Sequence, residues 1–226
     1  MKVENTSDYI TVELPSKGEC YPCKKSSIRL ERMTAMDENI VTSEELRQRE
    51  CVCNTLLSKK LVDKDIDVED LCLGDRNALL LALRMDGYGK TYTCSVMDED
   101  GNETEKVVDL SEVKNEVFTM TGDKDGLFNY CDKNDNKYKF RFITHKDDCE
   151  LISSINEDMT MNEIYNLYLN RCVVSVNGNN DRSYVEKWIE EANDLSKERF
   201  IRFIRVNTPD ITLNYPIGDT FFNDIK

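Results

Sequence analysis

Asp75-Arg76-Asn77-Ala78-Leu79-Leu80-Leu81-Ala82-Leu83-Arg84-Met85-Asp86-Gly87 decides the fold. Its centre is apolar nearly all round, so it predicts the most buried helix of the chain, with Asp75 as N-cap and Gly87 as C-cap. Downstream, Tyr92, Cys94 and Val96 alternate, Asp98 to Asn102 supplies turn residues, and Lys106 to Leu110 returns, which describes a β-hairpin. Upstream, Ile10, Val12 and Leu14 form a short strand stopped by Pro15-Ser16-Lys17-Gly18, and Ile28 and Leu30 form a second. Thr34-Ala35-Met36-Asp37 and Thr42-Ser43-Glu44-Glu45 then read as helix starts. A helical region with Leu46, Leu56, Leu57 and Leu61 runs from there to about Val62.

The second half repeats this order. Tyr138, Phe140 and Phe142 alternate as a strand, and Thr144-His145-Lys146-Asp147-Asp148 repeats the Thr-x-x-Asp-acidic pattern of Thr34 to Glu38. Thr160-Met161-Asn162-Glu163 and Ser183-Tyr184-Val185-Glu186 open two further helices. The run Leu195 to Arg205 takes the place of the first buried helix, and a strand through Ile211, Leu213 and Tyr215 follows. The expected class is therefore α+β in two repeated halves, residues 1–115 and 116–226, each with short strands or a hairpin packed on a helical bundle.

Composition narrows the function. The chain has 226 residues, with 44 acidic side chains against 30 Lys plus Arg and a net charge of −14. Scattered basic residues among so many carboxylates argue against nucleic acid and against an anionic membrane surface as partners. No apolar run is long enough to span a bilayer, and Met1-Lys2-Val3-Glu4-Asn5 does not open like a signal peptide, so an intracellular protein is expected. Nine cysteines, an odd number, fit reduced thiols better than a disulfide framework.

Catalytic groups are scarce. The single histidine, His145, reads as a surface residue in the first turn of a helix, with no Ser or Cys in a recognisable nucleophile turn. Glycines are dispersed, and Gly87-Tyr88-Gly89 lacks the spacing of a phosphate-binding loop. No catalytic residue is assigned, and an enzyme is not expected.

Three kinds of candidate site remain. Cys20-Tyr21-Pro22-Cys23 has the spacing at which two thiolates share a tetrahedral zinc, with Cys51 and Cys53 as the available completing pair. It also reads as two ordinary thiols in a turn, or as a redox pair. Acidic runs at Asp98 to Asn102, Asp123 to Gly126 and Asp132 to Asn136 resemble calcium loops but place Gly and Glu wrongly, so solvated turns are expected. Trp188, with Phe200 and Phe203, reads either as core or as a partner anchor. Phe221-Phe222 either tucks back onto the domain or docks on a partner.

Several of these pieces occur together in order: Leu14-Pro15-Ser16-Lys17-Gly18, Tyr21, Arg29, Met33-Thr34-Ala35-Met36-Asp37-Glu38, Asp75 before Leu79 to Arg84, Tyr88-Gly89-x-x-Tyr92, Val108-Asp109-Leu110-Ser111 and the late Phe221-Phe222. As a set they resemble the baseplate hub assembly proteins of T4-like tailed phages, over most of the chain from about Leu14 to Phe222. That resemblance implies a non-enzymatic role in building the central hub of a contractile tail, by contacts with hub or tail proteins in the host cytoplasm. It equally admits a structural subunit retained in the virion baseplate, within a larger tail complex. Members often carry cysteine pairs suggestive of zinc ribbons, whereas here Cys94 stands alone and Asp210 to Gly218 contains no cysteine. The resemblance supplies no catalytic residue and no metal ligand.

Overall fold

Ile10, Val12, Ile28 and Leu30 are completely buried, while Glu13 and Arg29 on the same two strands face outward. This period-2 pattern builds the first sheet of a computed structural model that describes residues 1–48, 51–97 and 103–212. Strands β1 (Val3–Asn5), β2 (Tyr9–Glu13) and β3 (Ser27–Glu31) are antiparallel in the order β1-β2-β3. Ile10 lies opposite Leu30 and Val12 opposite Ile28, so the apolar residues share one face against the core.

Helices α1 (Glu38–Val41), α2 (Glu44–Gln48), α3 (Val52–Lys60) and α4 (Leu73–Tyr88) follow. Asp37 does reach back to Thr34, accepting from its N–H and hydroxyl, each at 2.8 Å, but the helix begins only after Asp37. α4 is the buried helix the apolar run predicts, with Ala78 to Leu83 at most 2 % exposed. Its ends differ from the expectation. Cys72, not Asp75, is the N-cap, because the Asp75 carboxylate bonds outside its own helix and leaves Leu73 and Gly74 to begin the first turn. Gly89, not Gly87, is the C-cap, since it alone takes the left-handed conformation there, at φ 84°. The hairpin is present as β4 (Thr91–Met97) and β5 (Glu103–Asp109), and its tip at 98–102 lies outside the described residues.

A second three-stranded antiparallel sheet, in the order β6-β7-β8, is made by β6 (Phe128–Cys131), β7 (Lys137–Phe140) and β8 (Val173–Val176). Four helices pack with it: α5 (His145–Ser154), α6 (Met161–Cys172), α7 (Arg182–Glu191) and α8 (Asp194–Asn207). Thr144 and Thr160 form complete capping boxes with Asp147 and Glu163, as their spacing predicts. α7 starts earlier than expected: Asp181, not Ser183, caps it by accepting from the Tyr184 N–H at 2.9 Å. Ile211 bridges Asn115, and the rest of the strand expected through Leu213 and Tyr215 lies outside the described residues.

The sheets correspond in part. Each has an inner strand followed by a Thr-x-x-Asp turn and a chain that later returns antiparallel beside it, at Leu61 next to Leu30 and at Val173 next to Phe140. β1 and α7 lack counterparts in the opposite half among the described residues. The halves share one continuous core, and Gly74 is one of the places where their backbones meet closely. A Cβ there would stand 2.0 Å from the Pro209 carbonyl oxygen, so only glycine admits the contact.

Candidate functional site

The turn Pro15-Ser16-Lys17-Gly18 reverses the chain through two positive φ angles, 54° at Lys17 and 81° at Gly18. It thereby aims Ser16 at the first turn of α4. The Ser16 N–H donates to Asp75 Oδ1 at 2.8 Å, and its hydroxyl donates to Oδ2 at 2.5 Å. Tyr21 completes the node. Its hydroxyl donates to Asp75 Oδ2 at 2.7 Å and accepts from the Cys72 N–H at 3.2 Å, meeting one of the orphan donors of α4. Ser16 and Asp75 are fully buried, Cys72 and Tyr21 nearly so.

Burial dominates the protonation of this cluster. It pushes the Asp75 carboxyl up, although the Ser16 and Tyr21 bonds oppose it. The Tyr21 phenol is pushed well up by burial and by the Asp75 charge, and the Cys72 thiol by burial and a bond from Cys20. At neutral pH, therefore, neither the thiol nor the phenol is a nucleophile. The node ties elements together and offers no reactive group.

Above it lies a cleft of about 480 Å³ between the halves. Cys20, Tyr21, Glu69, Asp70 and Cys72 line one side, and Arg141, Thr144, Lys146, Asp147, Glu150 and Arg171 the other. Its strongest cations are already paired. Arg141 grips Asp147 with both Nη atoms, at 2.6 and 2.9 Å, and Arg171 meets Glu150 at 2.7 Å. Burial alone would raise Asp147, but Arg141 and Thr144 outweigh it and hold the carboxyl below its usual value.

The two cysteines of the pair seen in the sequence differ in their surroundings. Cys20 is half-buried beside Cys72, whereas Cys23 is exposed. Cys51 stands at the N-cap of α3, and Cys53 is buried in the core. Among the described residues no group of three or more His, Cys, Asp or Glu side chains is placed to hold a metal ion. His145 occupies the first turn of α5, half-buried, with Nε2 3.5 Å from the exposed Cys149 thiol, and neither residue lines the cleft.

Trp188 is half-buried on α7 and donates from Nε1 to the Tyr138 hydroxyl at 3.3 Å, while burial pushes the Tyr138 phenol up to about 12. Phe200 stacks on Tyr130 at 4.3 Å, and Phe203 packs beside it at 4.8 Å. Phe221 and Phe222 lie outside the described residues. Two acidic runs are self-closed turns: Asp123 accepts from the Asp125 and Leu127 N–H groups, and Asp132 from those of Asn134 and Asn136. Lys139 and these bonds hold the Asp123 carboxyl down at about 2. The third run, at 98–102, lies outside the described residues.

Sequence reasoning missed the Ser16–Tyr21–Asp75 node. Its one signal was a carboxylate in the first turn of a helix otherwise expected to be buried.

Residues 6–218 match the family described as T4 bacteriophage base plate protein. The chain belongs to that family. No match is found among curated proteins or among solved structures. In this baseplate protein the matched span contains every described strand except β1, together with the buried node and the cleft, and stops short of Phe221-Phe222. Family membership gives the chain a structural or assembly role in the phage tail, in contact with other baseplate or tail proteins.

Proposed function

We propose that this baseplate protein is an assembly factor for the central baseplate hub, working in the host cytoplasm through protein–protein contacts and without catalysis. One observation carries this reading. The groups best suited to chemistry, Asp75, Tyr21 and Cys72, are buried and bonded to one another, so the molecule offers surfaces and not a reactive centre. A net charge of −14 would speed encounter with basic faces of hub proteins and keep the free chain soluble. Trp188 and the Phe221-Phe222 pair are the aromatic contact candidates, and the thiols of Cys20 and Cys23 the only metal candidates we retain. We also read 1–115 and 116–226 as two copies of one unit. The paired Thr-x-x-Asp turns and antiparallel returns support that reading.

The family's description as a base plate protein favours a second reading, a subunit retained in the virion. Quantitative mass spectrometry of purified particles, counted against a tail protein of fixed copy number, separates the two. Presence in infected-cell lysate with absence from particles is the expected result; a constant whole-number ratio in particles would overturn it in favour of the retained subunit.

A further inference from the structure

The helical hairpin formed by α5 and α6 ends in a tip where three large apolar side chains face solvent. Ile152 is 67 % exposed, Ile155 41 % and Met161 59 %. Ile152 lies in the last turn of α5, Ile155 is the extended residue that caps its end, and Met161 is the first residue of α6. The connection between them is locally fixed. Asn156 accepts from the Asp158 N–H and, through its carbonyl, from the Met159 N–H, and the Thr160–Glu163 capping box locks the start of α6.

The exposed charge that the hairpin itself carries has one sign; Lys197 of α8 reaches Asn162 beside the tip, at 2.6 Å, but is 1 % exposed. From Asp147 to Asn170 the sequence carries six Asp or Glu and no Lys or Arg. Arg141 and Arg171 neutralise Asp147 and Glu150 at the base of the hairpin, and Asp148 lies there half-buried in the field of Arg76, which leaves Glu157, Asp158 and Glu163 around the tip. Such a surface selects its occupant by charge: an apolar hollow with a basic rim pairs with it, and an acidic rim is repelled. A second copy of this chain, equally acidic at the same place, is disfavoured.

We propose that the α5–α6 tip is the docking element of this protein, inserting Ile152, Ile155 and Met161 into an apolar hollow rimmed by Lys and Arg on another tail protein. The inference rests on the reading that the chain acts by contact. It assigns that contact to one end of one hairpin, at the opposite end of α5 from its capped N-terminus.

The test places a photo-crosslinking benzoylphenylalanine at position 152 or 161 of the full-length chain in phage-infected cells, with position 36, another exposed methionine, as control. Adducts from 152 and 161 to one tail protein, at a peptide with Lys or Arg beside the attachment point, are expected. Glu157→Lys with Asp158→Lys, both in the exposed connection, should cut the adduct yield by about tenfold while leaving the circular dichroism spectrum unchanged. Adducts to a second copy, adducts only at acidic peptides, adducts only from position 36, none from any position, or a yield indifferent to the charge reversal would each overturn the proposal. Omitting the chain from the infection distinguishes the two levels. If hubs need the chain but assemble normally with the charge-reversed tip, the tip assignment alone fails; if hubs form without the chain, the assembly reading fails.

Discussion

Replacing Asp75 by Asn tests whether the buried node holds the fold together. The substitution keeps volume, so no cavity term enters, and Oδ1 can still accept from the Ser16 N–H. The second oxygen becomes an NH₂ donor. It now faces two hydroxyls, Ser16 and Tyr21, that both donated to the carboxylate, while the Tyr21 oxygen already accepts from Cys72 and the Ser16 oxygen from Gly18. At least one buried hydroxyl proton loses its acceptor, a cost of about 1–3 kcal/mol. For a chain of this size each kcal/mol moves the melting midpoint by about 2–4 °C, so a fall of about 2–12 °C is expected.

The pH dependence has a definite sign. Burial raises the folded-state pKa of Asp75 above its ordinary value of 3.8. The folded protein therefore keeps this proton after the unfolded chain has lost it, and the stabilising contribution is lost as pH rises from about 4 through the folded pKa. The amide introduced by Asp75→Asn has nothing to titrate, and all other carboxylates are common to both proteins. The gap in midpoint, followed by thermal unfolding between about pH 4 and 7.5, is expected to be largest at the acid end and to narrow upward. A gap that widens with pH, or a variant as stable as the parent at the acid end, would refute the reasoning. In a double-mutant cycle with Tyr21→Phe, a coupling of about 1 kcal/mol is expected because both changes act on one hydrogen bond.

Asp37→Asn should cost about 3–5 kcal/mol at neutral pH, because Lys60, itself only 3 % exposed, loses its buried carboxylate partner. Burial would raise Asp37, but Lys59, Lys60 and Thr34 hold it well below 3.8; its contribution is present above that value and lost as pH falls, so the gap measured by denaturant titration should shrink in acid. Arg141→Lys removes the two-pronged grip on Asp147 and, at a side chain 36 % exposed, should lower stability by about 1 kcal/mol after solvent screening. Gly74→Ala drives a methyl into the Pro209 carbonyl and should cost about 3 kcal/mol, read as a lowered melting midpoint with both halves melting together. Metal analysis of protein purified without chelators is expected to find well under one zinc per chain, since among the described residues no third ligand joins Cys20 and Cys23.

Elements that carry their own signal are legible in the sequence. Ile10, Val12, Ile28 and Leu30 announce their strands because the pleat forces alternation, and Thr144 and Thr160 announce their helices because a capping box is a local bond. Features whose partners are distant are not legible. Asp75 reads as the N-cap of α4 because no local pattern reveals that its acceptors serve Ser16 and Tyr21 instead. β8 gives no signal because it begins at Val173 with no turn residue after α6. Asp181 is masked as a cap by the equally plausible Ser183. For the thiols, spacing points from Cys20 to Cys23, while the fold brings Cys72 to Cys20 from the start of another helix.

The Asp75 node and the Gly74 notch together set when this protein can fold. The carboxylate finds partners 54 and 59 residues earlier in the chain, but the glycine next to it is closed over only by Pro209, near the other end. Glu19 likewise holds its carboxylate for the Gly122 N–H, 103 residues later. Contacts of such sequence separation form slowly and in concert. On a ribosome making about 5–20 residues per second, the strand and helices that pack on α4 within the first half emerge early, but the contact over Gly74 can close only once Pro209 has been made. The seam between the two halves is thus the last part of the molecule that synthesis allows to close.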